Sequence, residues 1–199
     1  MNKREDKGQA QEADYNLIKA VLENNRSAFN SLVLKYKDMV FNLCYRLLGD
    51  YDEANDCAQD IFIKVYRNLG TFKFQSAFST WLYRIAVNTC KNHLSSLGYR
   101  MKKKSVSLDN PGYVYEPAGS SRDCDSNPAE VFEKKERENI IMKAIDSLAN
   151  KEKILVVLRD IEGKSYEEIV DATGLKLGTV KSKLARARQD LREMLRGVI

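Results

Sequence analysis

"GLKLGTVKSKLARAR", residues 174–188, carries five Lys or Arg and no acid, yet its apolar residues recur too regularly for a solvated charge run. At 3.6 residues per turn, Val180 and Leu184 turn inward, while Lys181, Ser182, Ala185, Arg186 and Gln189 turn outward. Just upstream, "SYEE" places Ser165 at a helix N-cap with Glu168 three residues on, the pattern of a capping box. Gly174 then separates a short helix from a longer one. A short helix, a glycine turn and a second helix predict a helix-turn-helix. In that motif the outward residues near the start of the second helix meet base edges in the major groove. Arg186 suits a guanine, and Ser182 can donate to a base or a phosphate. From Lys176 to Arg196 there are seven Lys or Arg against two acids, so phosphates are the natural partners of the remainder. The plainer alternative is a solvated basic helix closing a small bundle. The capping box, the glycine turn and the inward valine together disfavour it.

Working outward, Ile154–Ile161 reads as a helix ending before Gly163, and Val131–Leu148 as another. Upstream of these the composition changes. All three prolines, Pro111, Pro117 and Pro128, fall in one window. Between Ser105 and Glu130 stand five acids (Asp109, Glu116, Asp123, Asp125, Glu130) and one base, Arg122. Such a stretch has too little apolar surface to order itself and predicts a flexible acidic linker. The N-terminal part before it shows four amphipathic stripes. The first is Leu17, Ile18, Val21 and Leu22; the second runs from Phe29 to Leu47 and is closed by Gly49. The third runs from Ala54 to Leu69, closed by Gly70, and the fourth from Phe78 to Leu97, closed by Gly98. Four such helices with short connections predict a small bundle. No strand pattern competes. The fold class is therefore all-α, with two small helical domains joined by a linker. The divisions are a disordered N-terminus at 1–13, a first domain at 14–104, the linker at 105–128 and a helix-turn-helix domain at 129–199.

Composition fits this division and excludes several classes. The chain has 199 residues, a net charge of +5 and 43% hydrophobic residues. The modest basic excess names no partner, so its distribution carries the argument. No apolar run approaches the roughly 20 residues of a membrane span, and the start "MNKREDKGQAQEAD" has no apolar core of a signal peptide. Cys44, Cys57, Cys90 and Cys124 form no CxxC pair, which favours a reducing cytosol over a disulfide framework. Cys90 and His93 make a CxxH on a helix. Zinc would need two further ligands, with Cys44 and Cys57 the candidates. Cys90 reads instead as core, and neither a metal nor a cofactor is expected. No phosphate-binding glycine loop and no nucleophile–base pair is present, so no enzyme is expected.

The first domain adds a second nucleic-acid signal. "TFKFQSAFSTWLYRIAVNTCKNHLSSLGYRMKKK" (71–104) sets Phe72, Phe74, Phe78, Trp81 and Tyr83 among bases, with no acid anywhere in it. Rings that stack on unpaired bases and cations that follow a backbone suit single-stranded DNA. Phe78, Trp81 and Ile85 read as core, whereas Phe72 and Phe74 sit in a loop. On the fourth helix Arg84, Asn88, Lys91 and Ser95 share the face away from the core stripe.

These motifs carry a resemblance. "YRLLGDYDEANDCAQDIFIKVYRNLGTF" (45–72), "FSTWLYRIAVNTCKNHL" (78–94), "LRDIEGKSYEEI" (158–169) and "GTVKSKLARAR" (178–188) resemble, in order, bacterial sigma factors of the extracytoplasmic function group. The likeness is greatest to the sigma-E type. It implies two helical domains, sigma-2 and sigma-4, and no chemistry of the chain's own. It implies a protein that binds core RNA polymerase, directs it to promoters and helps to melt the start region, under an anti-sigma factor in a stress response. By position, Asp56, Gln59, Asp60 and Lys64 fall where the family meets the clamp helices of the largest polymerase subunit. The loop 70–79 matches the one that captures a base flipped from the −10 element, with Phe72, Lys73 and Ser76 as contacts. Arg84, Asn88, Lys91 and Asn92 fall with the −10 contacts on the fourth helix. Thr179, Lys181, Ser182, Lys183, Ala185 and Arg186 fall at the −35 reading positions. The acidic linker matches one that threads the polymerase's RNA channel. The resemblance places the protein in the bacterial cytoplasm, with no membrane insertion of its own and with tethering only through an anti-sigma factor. Lys176 departs from the family pattern, since it cannot cap a helix through a side-chain acceptor. Two other readings are weaker. An autonomous dimeric regulator would need a dimer seam or effector domain, and a helical adaptor leaves the clustered bases and aromatics unexplained.

Overall fold

Asn25 accepts hydrogen bonds from the backbone N–H groups of Ser27 and Ala28, and this cap starts a long helix, α2 (Arg26–Leu48). The computed structural model describes residues 3–96 and 128–196, and the side chains of 11–96 and 136–196. Gly49 stops α2 in left-handed backbone at φ 76, a conformation that costs a side-chain-bearing residue about 1 kcal/mol or more. Asp50 accepts from Glu53 N–H at 2.9 Å and opens α3 (Tyr51–Asn68). A 3₁₀ turn, Leu69–Thr71, leads into a loop and then α4 (Phe78–Ser95). Before all of these lies α1 (Lys3–Leu22).

The expectation of a disordered segment at 1–13 is corrected here, because α1 is helical from Lys3. Residues 3–13 are mostly Lys, Glu, Gln and Ala, which are strong helix formers with no apolar periodicity to announce them. Anchors at the end of that run hold the helix in place. Asp14 is 4% exposed and accepts from Tyr36 Oη and Lys35 Nζ, both at 2.5 Å. Burial and this bond to Asp14 raise the Tyr36 hydroxyl's pKa.

The four stripes of the sequence become the core of this bundle. Ile18, Leu32, Val40, Leu43, Leu47, Ile61, Leu82 and Leu94 are all within 1% of full burial. Burying each such side chain contributes about 1.5–3 kcal/mol. Cys44 from α2, Cys57 from α3 and Cys90 from α4 meet in the middle of it.

The second half is built from α5 (Pro128–Ser147), α6 (Asn150–Val156), α7 (Tyr166–Thr173) and α8 (Leu177–Met194). At its end α6 widens into a π turn, Val157–Ile161, where Glu162 N–H bonds to the Val157 carbonyl at 2.9 Å. The capping box is present in full: Glu168 N–H donates to Ser165 Oγ, and Ser165 N–H to Glu168 Oε2. Gly174 lies at φ 70 between α7 and α8. Val180, Leu184 and Ala187 pack inward. Lys153 is 1% exposed and pairs with Asp146 at 2.6 Å. Every described element is helical, and no strand occurs among the described residues. The linker expected at 105–128 lies outside the described residues apart from Pro128, as do Leu97 and Gly98.

The two halves pack on each other, which the separate stripes did not indicate. Tyr83 and Val87 of α4 are 6% and 1% exposed although they lie off the core stripe. They are covered by α7, which lies along α4. The Lys164 ammonium sits 4.4 Å from the Tyr83 ring centroid. Arg46 of α2 pairs with Glu162, and Asn150 Nδ2 donates to the Leu94 carbonyl at 2.8 Å. A Cβ on Gly49 would stand 3.3 Å from Asp146 Oδ2, so the end of α2 also abuts α5.

Candidate nucleic-acid and polymerase interfaces

Because Val180, Leu184 and Ala187 are held in the core, the opposite face of α8 is fixed outward. Lys181, Ser182, Ala185 and Arg186 are all exposed, as their spacing predicts. Arg186 has no hydrogen bond or ion pair among the described residues, so its guanidinium is available to a ligand. Lys181 lies 5.7 Å from the Tyr166 ring centroid. The remaining two positions differ. Thr179 is half-buried, and its carbonyl accepts from Ser182 Oγ at 3.1 Å. Lys183 is half-buried and turns toward Glu152 at 3.7 Å, so part of its charge is spent within the protein. Arg188 forms a two-pronged pair with Asp160, at 2.6 and 3.2 Å, which fixes α8 against the π turn. The first turn of α8 has no side-chain cap, since its N-cap residue is Lys176. Its open N–H groups and dipole favour an anion such as phosphate.

On the first domain a polar trough runs between α3 and α4. Lys64 and Asn68 line one wall; Trp81, Arg84, Asn88 and Asn92 line the other. The structure thereby brings Lys64, from the polymerase-binding set, beside Arg84, Asn88 and Asn92 from the −10 set. Lys64 Nζ donates to Thr89 Oγ1 at 3.3 Å and closes one end. Lys91 is half-buried at the far edge of the same helix. Asp56, Gln59 and Asp60 lie exposed on the side of α3 opposite Cys57, Ile61 and Val65. They form a polar face with no acidic or basic partner of their own among the ion pairs of the described residues.

The loop between the 3₁₀ turn and α4 is shaped by aromatic packing. Phe72, expected as a contact to the flipped base, is 5% exposed. Its ring sits among Tyr15, Phe74, Phe78 and Trp81, with centroids 4.9–6.0 Å away. A ring placed among four others gains more from that cluster than from water. Lys73 and Ser76 remain exposed. Phe74 takes left-handed backbone at φ 56, a strained position for a residue of its size. Tyr15 holds the loop in that shape. Its hydroxyl donates to the carbonyl of Ser76 at 3.0 Å and approaches that of Phe74 at 3.3 Å. Its ring packs edge-on against Phe74 at 5.1 Å. Tyr15 and Trp81 were missed as parts of the site. Tyr15 stands one turn before Ile18 on the same face of α1, a spacing that could have drawn attention to it.

Residues 32–99 match sigma-70 region 2 and residues 138–191 match sigma-70 region 4. The chain is 38% identical to the RNA polymerase sigma-H factor of Pseudomonas aeruginosa over 95% of its own length and 97% of that protein. It is 38% identical to the ECF RNA polymerase sigma-E factor of Escherichia coli K12, over 88% of this chain and 91% of that one. In three dimensions it is similar to CnrH in complex with the cytosolic domain of CnrY, with TM-score 0.60 and 23% identity over 92% of this chain and 97% of that one. It is also similar to the sigma factor RpoE of Bartonella quintana in complex with the anti-sigma factor NepR, with TM-score 0.61 and 22% identity over 85% and 97%. These two structures share the fold. Two sigma-70 regions in order, and relatives at 38% identity across nearly their whole length, place the chain in the sigma-70 family as an extracytoplasmic function sigma factor of RNA polymerase.

Proposed function

We propose that residues 14–104 bind core RNA polymerase and read and open the −10 element, while residues 129–199 read the −35 element. The observation that carries this reading is the pair of outward faces fixed by core packing. One is the Lys181–Ser182–Ala185–Arg186 face of α8; the other is the trough of Lys64, Arg84, Asn88 and Asn92. On α8, Arg186 reads a base, Lys181 and Ser182 contribute base or phosphate contacts, and Thr179 and Lys183 support from the flank. Lys73, Ser76, Arg84, Asn88, Lys91 and Asn92 follow the opened −10 strand, and Phe72 acts from within the aromatic cluster by shaping the loop. Asp56, Gln59, Asp60 and Lys64 contact the polymerase clamp helices. The protein performs no chemistry itself. It works in the cytoplasm, where an anti-sigma factor covering the polymerase-binding surfaces controls it. No described helix is long and apolar enough to cross a membrane, in keeping with a partner supplying any membrane tether.

Reconstituted transcription tests this directly. The purified chain is added to bacterial core polymerase on a genomic fragment library, and new RNA 5′ ends are mapped. Start sites sharing −10 and −35 elements, absent with core alone, are expected. No new starts from an active core would sink the reading. In the same system Asp60→Ala is expected to weaken core binding without altering which promoters are used. Unchanged affinity for core would remove α3 from the polymerase interface.

A further inference from the structure

We propose that Cys44, Cys57 and Cys90 form a three-thiolate site for a soft monovalent cation, copper(I), in the core of the N-terminal bundle. The three cysteines come from three different helices, α2, α3 and α4, and their sulfurs all lie within 4.8 Å of one another. Cys90 Sγ is 3.6 Å from Cys44 Sγ and 3.8 Å from Cys57 Sγ. A metal about 2.3 Å from each of three sulfurs spaces them about 4.0 Å apart in a trigonal plane. The apo geometry is therefore close to a closed site, and no helix needs to move far.

The donor set selects the ion. Thiolates are soft ligands that favour copper(I) or zinc over magnesium, calcium or manganese. The site is buried, with Cys44 and Cys90 at 0% and Cys57 at 2% exposure, and no carboxylate joins it among the described residues. Structural zinc wants four ligands in a tetrahedron. The nearest further donor by sequence is His93, one turn beyond Cys90, and its Nε2 is engaged by Glu53. Three sulfurs with no fourth donor among the described residues suit a trigonal monovalent ion. Loading needs no electron transfer: the cation enters, each thiol that ligates gives up its proton to solvent, and three metal–sulfur bonds form. The product is anionic, and the Lys64 ammonium lies close enough to Cys57 to offset part of it. Entry goes through local opening of the bundle, since no sulfur faces solvent.

A cysteine is often a small buried apolar residue with no further role. That ordinary role is met by cysteines dispersed among leucines, and it does not call for three sulfurs in mutual contact. Copper in this position would staple α2 to α3 and α4, the two helices that carry the −10 trough and the polymerase face. Metal supply would then set the stability of that half of the protein.

The test uses the full-length reduced chain, free of oxygen, with copper(I) held by a chromophoric competing chelator. One copper per chain is expected to move from the chelator to the protein. Native mass spectrometry should show the same stoichiometry, with displaced protons. Absorption at the copper edge should show three sulfurs near 2.3 Å. The melting temperature should rise on loading. Cys124→Ser should keep all of this. Cys57→Ala and Cys90→Ala should each weaken binding by more than the roughly 100-fold that loss of an outer-shell contact costs. No transfer from the chelator, transfer that survives both alanine variants, or zinc bound in preference to copper would each overturn the site. Transfer and edge spectra on the unmodified chain decide the matter even where an alanine variant loses its helical circular dichroism.

Discussion

Tyr15 holds the loop at 70–79 from a helix that shows no sequence motif. Its hydroxyl reaches the carbonyls of Phe74 and Ser76, and its ring props Phe72 and Phe74. Tyr15→Phe keeps the ring and removes the bonds, so it should cost about 0.5–1.5 kcal/mol in thermal or denaturant unfolding. In transcription it should impair promoter opening more than binding to closed duplex, read by permanganate footprinting of the −10 strand; equal losses in both would mean that the loop does not act at opening. Arg186 poses the opposite case, a side chain on an exposed face with no partner among the described residues. Arg186→Ala should weaken promoter use by about 1–3 kcal/mol and relax one −35 position, as loss of a base contact does. A uniform loss across −35 variants would reassign it to phosphate. At this scale the sequence was informative where periodicity alone sets direction. Lys181, Ser182, Ala185 and Arg186 needed only the helix period to be placed outward. Phe72 and Lys183 were not legible, because the burial of one and the ion pair of the other depend on Tyr15 and Glu152, distant in sequence.

Among the elements, α7 and its turn are the most locally determined. The Ser165–Glu168 box closes the start of α7, and Gly174 in left-handed backbone closes its end. Ser165→Ala removes an N-cap acceptor and should destabilise the protein by about 0.5–2 kcal/mol, measured by chemical denaturation. It should also loosen the angle between α7 and α8, lowering −35 use beyond what stability alone explains. A loss in stability with −35 use intact would separate the cap from recognition. The end of α2 was similarly visible, through Gly49. The first half of α1 was not, since residues 3–13, a run of good helix formers without an apolar stripe, read the same whether ordered or not. Its order comes from Asp14, Tyr15 and Ile18, contacts that only the folded bundle provides. The π turn at 157–161 was invisible too, because the helix read over Ile154–Ile161 continues straight through it.

For the whole molecule, the decisive feature is the contact between the halves. A division at the proline-rich window suggested two independent bodies. Tyr83 and Val87, which an isolated bundle would leave in water, are instead buried beneath α7. No sequence period reveals this, since α4 has to serve two cores at once. Arg46–Glu162 is the polar clasp of the interface, with side chains 21% and 16% exposed. Glu162→Gln replaces the charged partner of Arg46 with a neutral amide and should weaken the contact by about 1–3 kcal/mol. Small-angle scattering should then report a larger radius of gyration for the variant than for the parent chain. An unchanged radius would show that the apolar contact of α4 with α7 suffices alone.

Shared burial along α4 also bears on how the protein melts. Bodies that meet only through a tether unfold one after the other, each with its own enthalpy. Here the loss of α7 strips Tyr83 and Val87 of cover, and the loss of α4 strips α7 of its floor. Calorimetry should therefore record a single cooperative heat-absorption peak for the chain, with van't Hoff and calorimetric enthalpies in agreement. A chain that looks bipartite on paper would thus behave as one thermodynamic unit until a partner pulls its halves apart.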